Sequence, residues 1–143
     1  MLFKEFSLPK ETVDKILNIV QKYNGQDVSM YTSTQNGYQT DNIINLFDRE
    51  ILKEIEPDRE IFHIHYIKYN KGGFQLTHNH HKTEKYSFIT YLNNSDGPTY
   101  LMDPINKKIY PETGKTIVFD ARILHYGEKC KNQEKKILVG AIK

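Results

Sequence analysis

Polar and apolar positions divide the chain into two parts with different periods. In the first, Val13, Ile16, Leu17 and Val20 recur at helical spacing behind a start signal, Leu8-Pro9-Lys10-Glu11. Tyr23-Asn24-Gly25 should stop that helix. The stretch from Ser29 to Thr40, rich in Ser, Thr, Asn and Gly, reads as loop. Asp41 then caps a second helix running to Glu56, with Ile43, Ile44, Leu46, Phe47, Ile51, Leu52 and Ile55 as its apolar stripe, and Pro57 ends it.

From Ile61 the period falls to two. IFHIHYIKYN, YSFITYLNN, KTIVFDA and KKILVGAIK are rich in β-branched and aromatic residues and predict strands, and TYLMDP and KKIYP predict shorter ones. Turn signals separate them at Asn70-Lys71-Gly72-Gly73, at Asn93 to Pro98, at Asp103-Pro104 and at Pro111-Glu112-Thr113-Gly114. Helices followed by about seven or eight short strands predict a mainly β fold, a sandwich or open barrel backed by helices. The reading is one domain over 1–143, with 1–58 as helical support and 61–143 as the β core.

Composition narrows the function classes. With 38% hydrophobic and 27% charged residues the chain is globular rather than disordered. No apolar run approaches the ~18 residues of a membrane span, and the opening MLFKEFSLPKETVDK has no apolar signal core. The single cysteine, Cys130, forms no internal disulfide, which suits a reducing cytoplasm. It also excludes a cysteine cluster, so a metal would take histidine, carboxylate or water ligands. The net charge of +2 comes from scattered lysines, and nothing in it indicates nucleic acid.

The candidate chemistry lies in THNHHKTEKYSFITYLN, residues 77–93. His78 and His80 are two apart, so on an extended strand they point the same way. His125 lies far downstream, after the Pro111–Gly114 turn and a short strand, which brings it to one end of the barrel near His78. Three ligands of this kind occupy one face of a metal and leave the other open. His63 and His65 share a face with Ile61 and Ile67 and read as polar barrel wall near a substrate. His81 points away from His80 and reads as exposed. Asp120 and Arg122 flank the bend before His125 and read as a structural pair.

Taken in order, IHYIKYNKGGFQLTHNH, YSFITYLNNSDGPTYL, IYPETGKTIVFDARILHYGE and EKKILVGAIK resemble the double-stranded β-helix core of Fe(II)/2-oxoglutarate-dependent dioxygenases. The resemblance is to the prolyl-hydroxylase-like branch and covers residues 61–143. It implies a jelly-roll, cupin-like barrel with two N-terminal helices packed on it, Fe(II) as cofactor, 2-oxoglutarate as cosubstrate, O₂, and a small-molecule or peptide substrate that is hydroxylated. By this resemblance His78 and His125 are iron ligands and Tyr69 and Tyr91 line the cosubstrate pocket. Lys136, or else Lys135, pairs with the far carboxylate of 2-oxoglutarate; the two point to opposite faces of a strand, and Lys136 is preferred. The family has an acid where this chain has His80. Either His80 binds, giving a three-histidine site, or Glu84 supplies the carboxylate, or iron binding is weakened.

The same stretch resembles a cupin. Gly72, His78-x-His80 and Glu84 are close to the first cupin motif, and Pro111–Gly114 with His125 resembles the second. That reading makes His78, His80, Glu84 and His125 ligands in a cofactor-free dioxygenase or isomerase. A metal-free binding module on the same scaffold is the third expectation. Substrate and oligomeric state are not legible.

Overall fold

The computed structural model describes residues 1–23, 33–80 and 82–143. Among these, nine strands form one curled antiparallel sheet: β1 (Phe3–Ser7), β2 (Thr34–Gln39), β3 (Ile61–His78), β4 (Tyr86–Tyr91), β5 (Thr99–Leu101), β6 (Lys107–Ile109), β7 (Lys115–Asp120), β8 (His125–Gly127) and β9 (Lys135–Ile142). Their order is β1-β7-β4-β9-β3-β8-β5-β6, with β2 paired to β3. The result is a half-barrel consistent with a jelly roll, carrying two helices, α1 (Lys10–Val20) and α2 (Arg49–Ile55). None of the helices is long and apolar enough to cross a membrane among the described residues.

The period-two pattern sorts side chains between two cores. Phe88, Val118, Leu138 and Ile142 face outward, where they join Val13, Ile16 and Val20 of α1 and Ile51 and Ile55 of α2. Their sequence neighbours Ile89, Ile117, Phe119 and Ile137 face into the curl with Tyr69, Tyr91 and Leu101. A strand buried on both faces loses the simple polar alternation, which explains why YSFITY is buried at every position.

β3 organises the site. Its first part pairs with β9 from Ile61↔Ile142 to Tyr69↔Lys135, and its second part pairs with β8 at Gln75↔Gly127 and His78↔His125. Between these parts the expected turn at residues 70–73 is not a chain reversal. The strand continues through a wide bulge: β2 pairs Gln35 with Phe74 and Gly37 with Tyr69, so residues 70–73 stand opposite Asn36 alone. Gly72 takes φ +88°, which a side chain would oppose, and Asn36 takes φ 53°. One long strand thus carries both the wall and the rim of the half-barrel.

The N-terminal third differs from expectation in three places. Phe3–Ser7 is a strand on the edge of the sheet, paired with β7. Thr34–Gln39, expected as loop, is β2; its hydrogen bonds come from β3 rather than from any local pattern. Of the rest of the expected loop, residues 29–32 lie outside the described residues, as do Asn24, Gly25 and His81. The second helix is also shorter than expected. Asp48, not Asp41, is its cap, its side chain accepting from the Ile51 N–H at 3.0 Å. Helix from Asp41 is prevented because the chain there is stitched to β3: Asn42 Oδ1 accepts from Ile64 N–H at 2.9 Å and Ile43 N–H donates to the Ile64 carbonyl at 2.8 Å.

Candidate metal centre and its pocket

His78 ends β3 and His125 begins β8, and the two are register partners across that ladder. His80 follows two residues later, its N–H donating to the Ala121 carbonyl at 2.9 Å. Ring centroids lie 4.2 Å apart for His78 and His125, 4.6 Å for His78 and His80, and 5.4 Å for His80 and His125. Their ligating nitrogens all fall within 4.8 Å of one another. One ion can be reached by all three after small side-chain rotations, given metal–nitrogen bonds of about 2.0–2.1 Å.

The backbone presets two of the donors. His78 Nδ1 faces the Leu76 carbonyl at 2.8 Å, and His125 Nδ1 faces the Ile123 carbonyl at 3.1 Å. A carbonyl only accepts, so each Nδ1 carries the proton and each Nε2 keeps its lone pair for a metal. Burial, and then the neighbouring imidazoles, press His125 down to about 3 and His80 to about 4; burial also lowers His78. At neutral pH the triad is therefore three neutral imidazoles, the form that ligates.

A turn ties these ligands together. Asp120 accepts from Arg122 through its N–H at 2.9 Å, Nε at 3.0 Å and Nη2 at 2.7 Å, and these hydrogen bonds hold its carboxyl down at about 2. Asn79 Nδ2 donates to the Arg122 carbonyl at 3.3 Å. The Asp120–Arg122 bend thus spaces His125 from β7 while anchoring the segment that carries His80.

Glu84 stands apart from the triad. Among the described residues the group able to hold a metal contains His78, His80 and His125 and no carboxylate. Glu84 lines the wall of the same cavity, about 470 Å³ in volume, with Oε2 accepting from Ser87 Oγ at 2.7 Å. Burial raises its carboxyl to about 7. His63 and His65 line this cavity too, with ring centroids 4.2 Å apart. His65 Nδ1 is fixed against the Thr40 carbonyl at 2.8 Å.

The expectation for Lys136 needs correction. Lys135 is the lysine that enters the half-barrel, 3% exposed, on the same strand face as Ile137. Lys136 shares the opposite face with Leu138. Lys135 Nζ lies 5.4 Å from the Tyr69 ring centroid and 5.7 Å from that of Tyr91, and it donates to Thr99 Oγ1 at 3.5 Å. Tyr91 OH donates to the same Thr99 oxygen at 2.6 Å. None of the ion pairs among the described residues involves Lys135, and burial pulls its ammonium down to about 8. Tyr69 and Tyr91, which the family resemblance placed at the cosubstrate, both lie beside this ammonium. Thr99 had no local signal, because a threonine in a three-residue strand reads only as a strand former.

No family model and no curated protein matches the sequence. Solved structures do resemble it. The viral collagen prolyl hydroxylase of Paramecium bursaria Chlorella virus-1, in complex with 2-oxoglutarate, is 17% identical with a TM-score of 0.70, covering 99% of this chain and 96% of that one. A Pseudomonas putida prolyl-4-hydroxylase is 15% identical with a TM-score of 0.68, covering 99% and 91%. HygX from Streptomyces hygroscopicus, with nickel and 2-oxoglutarate bound, is 8% identical with a TM-score of 0.76, covering 98% and 82%. At such identities the likeness is one of fold. It falls on the superfamily that the four sequence motifs resemble.

Proposed function

We propose that the protein is a non-haem Fe(II)/2-oxoglutarate-dependent oxygenase on a double-stranded β-helix scaffold, acting on a peptide or small molecule. The observation that carries this reading is a buried, unpaired lysine in the interior of the half-barrel whose rim bears a metal-binding triad. An ammonium without a carboxylate is costly in such a place, and the far carboxylate of 2-oxoglutarate supplies the missing partner. The fold neighbours that bind 2-oxoglutarate point the same way.

In this reading His78, His80 and His125 hold the iron. Lys135 anchors the cosubstrate, with Thr99 as a second donor, since its oxygen accepts from Tyr91 OH and Lys135 Nζ and leaves its own proton to give. Tyr69 and Tyr91 wall the ammonium from water and keep its field directed at one carboxylate. When bound, iron and 2-oxoglutarate together supply the oxidising chemistry with O₂. The protein's residues bind, orient and exclude water, and the apolar face of Ile89, Phe119 and Val139 lines the cavity on the substrate side.

His80 in place of an acid leaves the iron with one more unit of positive charge than a two-histidine, one-carboxylate site would. This donor set favours a second reading, a cupin-like metal site that needs no 2-oxoglutarate. That reading leaves Lys135 without a purpose. Anaerobic titration separates the two. Fe(II) followed by 2-oxoglutarate should produce a weak visible charge-transfer band in the wild type and none in Lys135→Met. Bound iron without a band in either protein would support the cupin reading, and failure to bind iron would remove both.

A further inference from the structure

The cavity beside the triad has one carboxyl in its lining and neither lysine nor arginine among its described residues. That carboxyl is Glu84, on the segment leading into β4. One of its oxygens is held by Ser87 Oγ at 2.7 Å, which fixes the direction of the group. None of the ion pairs among the described residues includes Glu84. The other titratable groups in the lining are the imidazoles of His63, His65, His78, His80 and His125. Of these, His63 and His65 stand outside the triad, and burial holds both toward the neutral form. A carboxylate drawn out of water into such an enclosure loses hydration that no protein cation restores. A ligand cation would restore it, and a charge-assisted hydrogen bond to a carboxylate is about twice as strong as a neutral one. The ring of Phe62 also lines the cavity and offers an apolar surface for the carbon skeleton behind such a cation.

We propose that this cavity selects a substrate bearing an ammonium or guanidinium group, with Glu84, oriented by Ser87, as the residue that determines specificity. The proposal deepens the oxygenase reading, since the same cavity borders the triad and a cation held at Glu84 would fix which part of the substrate faces the metal. It assigns Glu84 to the substrate and not to the metal.

The test uses the 143-residue chain without metal or 2-oxoglutarate, so it is independent of whether the oxygenase reading holds. Butylammonium, butylguanidinium and 1-butanol are titrated at pH 8, where Glu84 is mostly ionised, and binding is followed by NMR shifts of the histidine rings. Both cations should bind about tenfold or more tightly than the alcohol. Glu84→Gln, which keeps an acceptor for Ser87, should bring them to the level of the alcohol, and Ser87→Ala should give an intermediate loss. Co(II) should bind Glu84→Gln as it binds the wild type. The proposal is overturned if the wild type shows no preference for the cations, or if Glu84→Gln retains that preference. It is also overturned if Glu84→Gln loses Co(II), which would make Glu84 a metal ligand. A well-dispersed spectrum of each variant shows that loss of binding is not loss of fold.

Discussion

Replacing Lys135 by methionine should stabilise the protein while abolishing its response to 2-oxoglutarate. Lys135 is 3% exposed, and burial draws its ammonium from the ordinary 10.5 to about 8. At pH 7 the group is charged both folded and unfolded, so the folded state carries the full penalty. A fall from 10.5 to about 8, at about 1.36 kcal/mol for each pH unit, corresponds to roughly 3 kcal/mol. Methionine has a similar length and no charge, and it can pack between Tyr69 and Tyr91. Relief of the whole penalty would raise the melting temperature by ~10 °C in a domain of this size. The pH dependence has a definite sign. The unfolded chain binds more protons at this site between about pH 8 and 10.5, so wild-type stability rises with pH across that window. The penalty is complete below pH 8 and gone above 10.5. Urea denaturation should therefore show a gap between Lys135→Met and wild type of roughly 3 kcal/mol at pH 7, narrowing to about 1 kcal/mol at pH 9.5. Added 2-oxoglutarate with Fe(II) should stabilise the wild type by mass action and leave the variant unmoved. The reasoning is refuted if the variant is no more stable at pH 7, if the gap is the same at both pH values, or if 2-oxoglutarate stabilises both proteins equally.

Three further outcomes follow from the geometry. His125→Ala should abolish Co(II) binding measured by its visible spectrum, whereas His80→Ala should weaken it by more than about tenfold; equal affinity in His80→Ala and wild type would remove His80 from the ligand set. Gly140→Ala should lower the free energy of unfolding in urea by ~1–3 kcal/mol, because an added Cβ would collide with the Phe88 ring and meet the His63 carbonyl at 2.5 Å. Asp48→Ala should lower it by ~1 kcal/mol through loss of the α2 cap, and Asp41→Ala should leave that cap in place and the helical content by circular dichroism unchanged.

Much of the fold is legible along the chain because the relevant signals are local. The helical stripe of α1 and the β-branched and aromatic runs of β4, β7 and β9 each report a preference that a single element imposes on its own residues. The H-x-H spacing at His78 and His80 is local as well, although β3 ends at His78 and His80 reaches the triad through the bond of its N–H to the Ala121 carbonyl. β2 is different. Its residues, TQNGYQ, carry little strand preference, and it exists because the exposed edge of β3 supplies hydrogen-bond partners. The shortened second helix has the same cause, since long-range bonds from Asn42 and Ile43 to Ile64 outweigh the local helical pattern.

The site divides along the same line. Sequence alone determined the residue types and pointed to His78, His80 and His125 as one cluster, while Tyr69 and Tyr91, named through the family resemblance, lie beside Lys135 and not in the lining of the cavity at the triad. It could not choose between Lys135 and Lys136, because alternation assigns them to opposite faces without saying which face lies inside. That choice depends on the register of β9 between β3 and β4, where Tyr69↔Lys135 and Tyr91↔Ile137 bring the earlier lysine into the half-barrel. Nor could it separate His80 from Glu84, four residues apart. The tertiary structure separates them through the Asp120–Arg122 bend, which draws His80 to the triad, while Ser87 holds Glu84 in the cavity wall. A chain carries its chemistry in its residue types, but which of two neighbouring side chains shares a space is set by hydrogen bonds between strands distant in sequence.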